Sequence, residues 1–401
     1  MSRSRLPIIL ALGTTQTLAW ASSMYLPAIL ADPIAGDLGV SSNWVFAAFS
    51  AALVLAALLG PRIGRQIDLV GGRSVLSISN LVLAAGLVLL GLSTSIPLLV
   101  IAWLLLGVGM GYGLYDAAFA ALGRIYGDAA RGAITGITLM AGFASTIGWP
   151  LSAWGLHTIG WRNTCFAWAA AHILIGLPIN WLMLPPVVGA KVAAATTAVK
   201  PHIPIDRTMI LLAFAFAAAW SVTGAMAAHL PRIVEAAGAT TAQAVFAGAM
   251  IGPAQVLARI AEAGFLSRYH PLISTRLACL THPIGAAILA LAGGGAASVF
   301  AIFHGAGNGI LTIARGTLPL AIFGPANYGY RLGLIGAPAR MAQAAAPLAF
   351  GLLIDRMGSD ILIVSSALSL AALLALCLLR QDGKPGGEPA QLSAPGNPIS
   401  S

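Results

Sequence analysis

Charged residues are scarce in this sequence. Only 8% of its 401 residues are Asp, Glu, Lys or Arg, whereas 58% are hydrophobic, and the mean hydropathy is +0.89. Soluble domains carry about a quarter charged residues, so this composition excludes a soluble globule with a large core. Apolar runs of ~20 residues recur along nearly the whole chain and indicate a protein that crosses a membrane many times.

Cysteine is also sparse, and its positions argue against a disulfide framework. Cys165, Cys279 and Cys377 lie in apolar runs, where we interpret them as small hydrophobic residues. No His, Cys or Asp cluster has metal-ligand spacing, so we expect neither a metal nor a cofactor. The net charge of +9 is spread between apolar runs, so we expect no nucleic-acid partner. The spans carry no residue set typical of an intramembrane enzyme, so we expect no catalytic residues.

The apolar runs predict helices rather than a barrel, because they are continuous and lack a two-residue alternation. The first run resembles a signal peptide, but it continues to Ala31 and further spans follow it, so we interpret it as a transmembrane helix. The predicted fold class is an all-α membrane protein with twelve transmembrane helices. These cover residues 7–31, 43–60, 74–94, 97–122, 132–155, 163–185, 208–230, 242–264, 271–293, 296–321, 330–354 and 360–380.

Basic residues predict the orientation, because Lys and Arg concentrate in cytoplasmic loops. With the N-terminus in the cytoplasm, only Arg162, Arg232 and Arg356 lie outside. We therefore expect both termini to be cytoplasmic. The basic residues then at the cytoplasmic side are Arg3, Arg5, Arg62, Arg65, Arg73, Arg124, Arg131, Lys191, Lys200, Arg207, Arg268, Arg331, Arg380 and Lys384.

An internal repeat divides the chain into two halves. The sequence GVGMG at Gly107–Gly111 returns as GAGNG at Gly305–Gly309, an offset of 198 residues, and Pro150 and Pro347 lie 197 residues apart. We predict two pseudo-symmetric six-helix bundles, 1–185 and 208–380. A cytoplasmic linker, 186–207, joins them, and a disordered cytoplasmic tail, 381–401, follows. Two such repeats with a site between them are typical of transporters.

The sequence GPRIGRQIDLVGGR, residues 60–73, places a charged, glycine-rich segment after the second span. Its residues Gly64, Asp68, Gly71 and Arg73 fit the pattern G-x-x-x-D-(R/K)-x-G-(R/K)-(R/K), which resembles the loop 2–3 motif of the major facilitator superfamily. The resemblance implies two six-helix bundles, alternating access, a bacterial inner membrane and a monomer. We interpret the segment as a gate, in which glycines allow close helix approach and Asp68 caps a helix or pairs with an arginine. The alternative is a simple topology signal.

The chain departs from the superfamily pattern at several positions. Leu69 and Gly72 stand where the loop 2–3 motif has basic residues. The second half reads GFLSR, with Arg268 where the motif has Asp, so we expect a gate on one side only. Trp103 stands where many proton-coupled members carry an arginine. Trp149 and Pro150 stand where antiporters carry Gly-Pro. The usual signs of proton antiport are therefore missing.

Charges inside the spans are the strongest candidate site residues, because each costs about 2.5–3.5 kcal/mol or more in the bilayer centre. Asp116 and Arg315 are 199 residues apart and occupy nearly equivalent repeat positions. By the resemblance they line one cavity and face each other, although the sequence leaves open whether they pair. Arg340 lies near the middle of its span and is a candidate anion contact or ion-pair partner. Arg259 is i, i+3 from Glu262, so we favour a local pair over substrate contact there.

Polar and aromatic residues add weaker candidates. His304 and Asn308 share a helix face, and His304 either carries a coupled proton or is structural; His172 and His282 are interpreted as structural. Gln16 and Trp20 share a face of the first span, and Trp220 lies on the seventh. These residues suit a small polar or aromatic ligand, but polar side chains also join helices.

The sequence therefore predicts a secondary transporter of a small solute, with a slight excess of buried positive charge that favours an organic anion. One alternative is proton-coupled export of drug-like molecules or metabolites. A second alternative, of another class, is a transporter-like sensor without flux. The expected partners are a small-molecule substrate, protons as a candidate coupling ion, and the lipid bilayer.

Overall fold

The computed structural model describes residues 5–186 and 203–379, and within these ranges the chain forms helices, turns and no strand. The prediction of an all-helical chain is confirmed. Ala171 and Leu177 are joined by one π-helical turn, His172–Gly176. The α-helices of the described ranges are α1 (Arg5–Ser22), α2 (Pro27–Leu38), α3 (Ser42–Val70), α4 (Gly72–Gly91), α5 (Ile96–Gly113), α6 (Tyr115–Tyr126), α7 (Arg131–Ala141), α8 (Ala144–Ala171), α9 (Leu177–Met183), α10 (Arg207–Ala236), α11 (Thr241–Gly264), α12 (Pro271–Ala292), α13 (Ala297–Phe323), α14 (Tyr328–Met357) and α15 (Ile361–Cys377).

Seven stretches of the described chain are long and apolar enough to cross a membrane. The longest, Ile96–Met183, has 88 residues, and a single crossing takes ~20 helical residues. Leu182, Leu291 and Leu348 lie largely exposed, as expected for side chains that face lipid. The chain is thus a membrane protein, while the count of twelve crossings stays a prediction. The predicted tail, 381–401, and most of the predicted linker, 186–207, lie outside the described residues.

Several predicted spans are broken, because a hydropathy pattern does not register a turn between two apolar helices. The predicted helix 97–122 stops at Gly113 and restarts at Tyr115, with extended backbone at Leu114 (φ −84°, ψ −174°). The predicted helix 7–31 ends at Ser22, and Pro27 opens α2. Within α8 the backbone leaves the helical region at Gly160, whose φ of +79° favours glycine. That break lies between the predicted spans 132–155 and 163–185.

Buried apolar side chains divide the helices into an N-terminal helix set (α1–α9) and a C-terminal helix set (α10–α15). One cluster around Leu87 and Trp103 belongs to the N-terminal set, and two clusters around Phe216 and Phe300 belong to the C-terminal set. A fourth cluster packs Tyr328 of α14 against residues of α3, α4, α6 and α7. The two sets therefore meet at the end of the molecule where α3 ends and α14 begins.

Candidate functional site

Asp116 contacts two arginines where the helix sets meet. Its Oδ2 atom lies 2.8 Å from Nη2 of Arg315 and 2.8 Å from Nη2 of Arg340. The three side chains are 13%, 8% and 10% exposed. Asp116 and Arg315, which were expected to face each other, therefore form an ion pair, and Arg340 joins it. We call these three residues the charge triad.

The charge triad holds two positive charges and one negative charge. Oδ1 of Asp116 and Nε of Arg315 are buried and make no hydrogen bond in the structure. The Trp220 ring centroid lies 4.9 Å from Cζ of Arg315, a cation–π contact that supplies part of the missing partner. Burying unbalanced charge is costly, so one extra positive charge here favours an anion.

Local backbone structure positions the triad. Asp116 lies in the first turn of α6 and not inside a continuous helix, which corrects the sequence prediction. A helix N-terminus carries a partial positive charge that stabilises a carboxylate. Gly336 of α14 also leaves room for the guanidinium, because a Cβ atom there would lie 2.9 Å from Nη2 of Arg315. Neither the helix break nor this glycine was recognised in the sequence.

Gln16 and Trp20 lie at the break between α5 and α6. Nε2 of Gln16 donates a 2.5 Å hydrogen bond to the carbonyl of Gly113, a group that the break leaves without a helical partner. Oε1 of Gln16 and Nε1 of Trp20 are buried without a hydrogen-bond partner. The Trp20 ring packs 4.8 Å from that of Tyr115, the residue before Asp116. The structure thus brings these two predicted residues beside the charge triad.

His304 and Asn308 lie on α13 within the C-terminal helix set. Nδ1 of His304 is 3.1 Å from Nδ1 of His282, and Nε2 of His282 is 2.9 Å from Oγ of Ser365. Asn308 accepts a 3.0 Å hydrogen bond from the Thr223 hydroxyl. A cavity of about 20 Å³ lies beside both histidines and Asn308. His282, which the sequence suggested was structural, is therefore the direct partner of His304.

Arg259 is not paired with Glu262, so the predicted local pair is wrong. Glu262 Oε1 lies 2.8 Å from Nη2 of Arg131 on α7, which reaches it from the N-terminal set. Arg259 instead donates to the carbonyls of Thr138 (2.9 Å) and Gly309 (3.4 Å) and to Gln255 Oε1 (3.3 Å). The i, i+3 spacing allowed a local pair, but a cross-set partner takes the carboxylate.

Asp68 caps α14 from across the boundary between the sets. Its Oδ1 accepts from the backbone N–H of Gly329 (2.9 Å), and its Oδ2 accepts from that of Tyr330 (2.8 Å). Of the two roles predicted for Asp68, the structure has the helix cap. The predicted loop is largely helical, because α3 continues to Val70.

The glycines of the same segment allow α3 and α14 to touch backbone to backbone. A Cβ atom on Gly64 would overlap the carbonyl of Gly329, and one on Gly333 would lie 2.5 Å from the carbonyl of Gly60. Gly71 ends α3 with a φ of +83°. Arg73 lies over the Trp181 ring, 4.3 Å from its centroid. The close approach that the motif predicted is therefore present.

A second contact joins the sets at the same end, whereas the sequence predicted a gate on one side only. Besides Glu262, Arg131 donates to the carbonyls of Tyr269 (2.6 Å) and Leu266 (3.2 Å). The segment after α11 lacks the aspartate of the motif, but its carbonyls accept an arginine from α7. Arg131 was treated only as a topology signal in the sequence.

The sequence that forms these two helix sets matches the model of a known family. The model of the Major Facilitator Superfamily matches residues 12–303. The chain belongs to this superfamily. Its members are transporters and not enzymes, so this superfamily member is not an enzyme.

Solved superfamily structures share its fold over nearly its whole length. The human organic anion transporter MFSD10 (TETRAN) has a TM-score of 0.70 at 15% identity, covering 93% of this chain and 99% of that one. FucP in the outward conformation has a TM-score of 0.68 at 13% identity, covering 94% of this chain and 99% of that one. The proton:xylose symporter XylE has a TM-score of 0.67 at 15% identity, covering 92% of this chain and 94% of that one. At these identities the likeness shows the fold alone.

One curated relative is similar in sequence over a shorter stretch. The mouse solute carrier family 2, facilitated glucose transporter member 10, is 34% identical over 167 residues. That stretch is 39% of this chain and 28% of the relative. The chain therefore matches little more than a quarter of the relative's length.

Proposed function

We propose that this chain is a secondary active transporter that carries a small organic anion by alternating access. The observation that supports the anion is the charge triad, in which Asp116 alone balances Arg315 and Arg340. A substrate carboxylate supplies the missing negative charge between the helix sets. It competes with Asp116 for a guanidinium, and this couples binding to the contact between the sets.

In this proposal the end of the molecule with the Asp68 and Arg131 contacts is cytoplasmic, and these contacts close it. The basic residues counted above support that orientation, with both termini in the cytoplasm. The chain crosses a bacterial inner membrane twelve times as two six-helix bundles, 1–185 and 208–380, and works as a monomer.

Protons are the coupling ion in this proposal, and we assign two groups to accept them. Asp116 is the only acid of the charge triad, so its protonation would release both arginines. His304 shares a hydrogen bond with His282, so at least one of these facing nitrogens carries a proton already. Arg315 and Arg340 then bind the substrate anion, and Trp220 packs against the first of them.

A thermal-shift screen of the detergent-purified protein tests this function. Small carboxylates, lipophilic cations and neutral sugars are compared at two pH values. A specific ligand stabilises the protein by about 2.7 kcal/mol at a hundredfold excess over its Kd. We expect stabilisation by a carboxylate that is lost in Arg340→Ala. Stabilisation only by lipophilic cations, lost in Asp116→Asn, would favour drug export instead.

Flux distinguishes a transporter from a sensor. The stabilising anion is loaded into proteoliposomes, and its exchange is followed with radiolabel. We expect counterflow that stops in Asp116→Asn. Tight binding with no flux in the unmodified protein would overturn transport in favour of a sensor.

A further inference from the structure

Arg259 is the most deeply buried arginine in the described chain. Counting backbone and side chain together it is 4% exposed, against 7% for Arg315 and 8% for Arg340, and it lies on α11 between the helix sets. Those two arginines share Asp116. Among residues 5–186 and 203–379, no carboxylate forms an ion pair with Arg259, and its acceptors are two backbone carbonyls and an amide oxygen.

The nearest acid along the helix does not neutralise Arg259. Glu262 is one turn away and 1% exposed, but Arg131 binds it from α7. That pair is balanced within itself. Neutral acceptors satisfy the guanidinium N–H groups but leave its charge uncompensated. An isolated buried charge is strongly unfavourable, so this position calls for an anion that the chain does not provide.

The position of Arg259 fits a ligand that moves between the sets. One of its hydrogen bonds reaches Thr138 of α7 in the N-terminal set, and another reaches Gly309 of α13 in the C-terminal set. Gly142 leaves room for the guanidinium itself, because a Cβ atom there would overlap Nη1. An anion that took the place of the Thr138 carbonyl would remove one bond between the sets.

Aromatic side chains pack near the part of α7 that Arg259 contacts. Arg259 donates to the Thr138 carbonyl, and Ala141 on the same helix shares a buried cluster with Tyr115 and Trp20. Tyr25 packs against Trp149, with ring centroids 5.8 Å apart, and Trp20 packs between Tyr25 and Tyr115. Nε1 of Trp20 is buried and unpartnered, so an N–H donor is available on this aromatic wall. Such a wall suits an apolar, flat body attached to the anionic group.

We propose that Arg259 binds the carboxylate of the substrate, and that this substrate is an aromatic monocarboxylate whose ring lies against Trp20, Tyr25 and Tyr115. The inference rests on the proposed function and deepens it by naming the anion contact and the substrate class. Arg259 then holds the carboxylate before it reaches Arg315 and Arg340 of the charge triad.

Benzoate and its neutral analogue benzamide are the probes, with acetate as the carboxylate that lacks a ring. Their Kd values are measured on the full chain in detergent, by calorimetry or thermal shift. Arg259→Gln removes the charge, and Arg259→Lys keeps the charge without the planar fork. Arg276→Gln is the matched control, since Arg276 also donates to carbonyls, those of Leu376 and Leu379, but lies within the C-terminal set.

We expect the unmodified protein to bind benzoate and not benzamide, and to bind acetate more weakly. Arg259→Gln should weaken benzoate binding by about thirtyfold or more, because a desolvated charge partner is lost. Arg259→Lys should weaken it by about tenfold. Arg276→Gln should leave the affinity unchanged.

The opposite outcomes separate the two levels of the proposal. Unchanged benzoate affinity in Arg259→Gln would overturn the role of Arg259 and leave anion transport standing. If that variant does not fold, unchanged affinity in Arg259→Lys has the same meaning. Equal affinities for acetate and benzoate would overturn the aromatic substrate class. If no carboxylate binds the unmodified protein, the proposed function itself falls.

Discussion

The two contacts that join the helix sets at one end of the molecule are built in different ways. At the first contact, α3 meets α14 through glycine backbones, and Asp68 accepts two backbone N–H groups. At the second, α7 meets α11 through the Arg131 side chain, which binds Glu262 and two carbonyls. A repeated architecture therefore keeps the position of a contact without keeping its chemistry. The first contact depends on shape and the second on charge, so they should fail differently.

Removing the charge of Arg131 should give the largest loss of stability. Arg131→Gln leaves Glu262, which is 1% exposed, as an unpaired buried charge, and we expect a loss of about 3 kcal/mol in the free energy of unfolding. Denaturant titration in detergent measures it. Arg131→Gln combined with Glu262→Gln should recover most of the loss, because no buried charge then stays unpaired. Equal loss in the single and double variants would show that the ion pair is not the cause.

Adding one methyl group at the glycine crossing, where Gly60 and Gly64 of α3 meet Gly329 and Gly333 of α14, should have the next largest effect. In Gly64→Ala the new Cβ atom overlaps the carbonyl of Gly329, so α3 and α14 must separate. We expect a loss of about 1–3 kcal/mol and a longer distance between spin labels on the two helices. Gly36→Ala is the control, since nothing lies within 4 Å of a Cβ atom there. Unchanged spin-label distances in Gly64→Ala would contradict the close crossing.

Removing the Asp68 cap should cost less. Asp68→Ala leaves the N–H groups of Gly329 and Tyr330 without their acceptor, which costs about 0.5–2 kcal/mol. Hydrogen exchange of those two amides should accelerate, while that of α11 should not change. Asp68→Asn keeps one acceptor oxygen, so its exchange rates should lie between those of the unmodified protein and those of Asp68→Ala. Faster exchange across both contacts would mean that they open together.

The smallest effect concerns pH and should be confined to the second contact. His270 accepts from the N–H of Leu272 at the start of α12, beside the Tyr269 carbonyl that Arg131 binds. Burial, followed by the charges of Arg131 and Arg276, lowers the pKa of His270. The neutral form is therefore favoured in the folded protein, and its contribution is complete above pH ~6.5 and lost as pH falls through the lowered pKa.

We expect stability to decline slightly below about pH 6 and expect His270→Asn to flatten that decline. The comparison is made on unfolding curves from pH 4.5 to 7.5. Identical pH profiles for the variant and the unmodified protein would remove His270 as the cause. The first contact should keep its amide protection over the same range if the two contacts are independent.

The sequence revealed a contact only where a short motif or the internal repeat relates the residues that make it. Asp68 and Gly64 belong to one short motif, so their roles at a close helix crossing could be predicted. Asp116 and Arg315 were matched through the repeat, and the resemblance to the superfamily implied that such positions line one cavity. Arg131 and Glu262 lie 131 residues apart on different helices, and no spacing rule relates them.

The remaining misses have physical reasons of the same kind. His282 and His304 lie on adjacent helices, and their contact depends on the rotation of both helices, which hydropathy does not report. The break at Leu114 was invisible because an apolar residue looks the same in a turn and in a helix. Arg259 was assigned to the nearer acid because spacing along one helix carries no information about a competitor on another helix.

The glycine crossing has a consequence for how the two sets separate. Gly60 and Gly64 meet Gly329 and Gly333 without side chains between them, so no rotamer has to change when the helices part. Dispersion contacts and hydrogen bonds both weaken steeply over about an ångström of separation. A small displacement therefore removes a large part of the attraction at once, and the crossing should release abruptly, with few partly open states.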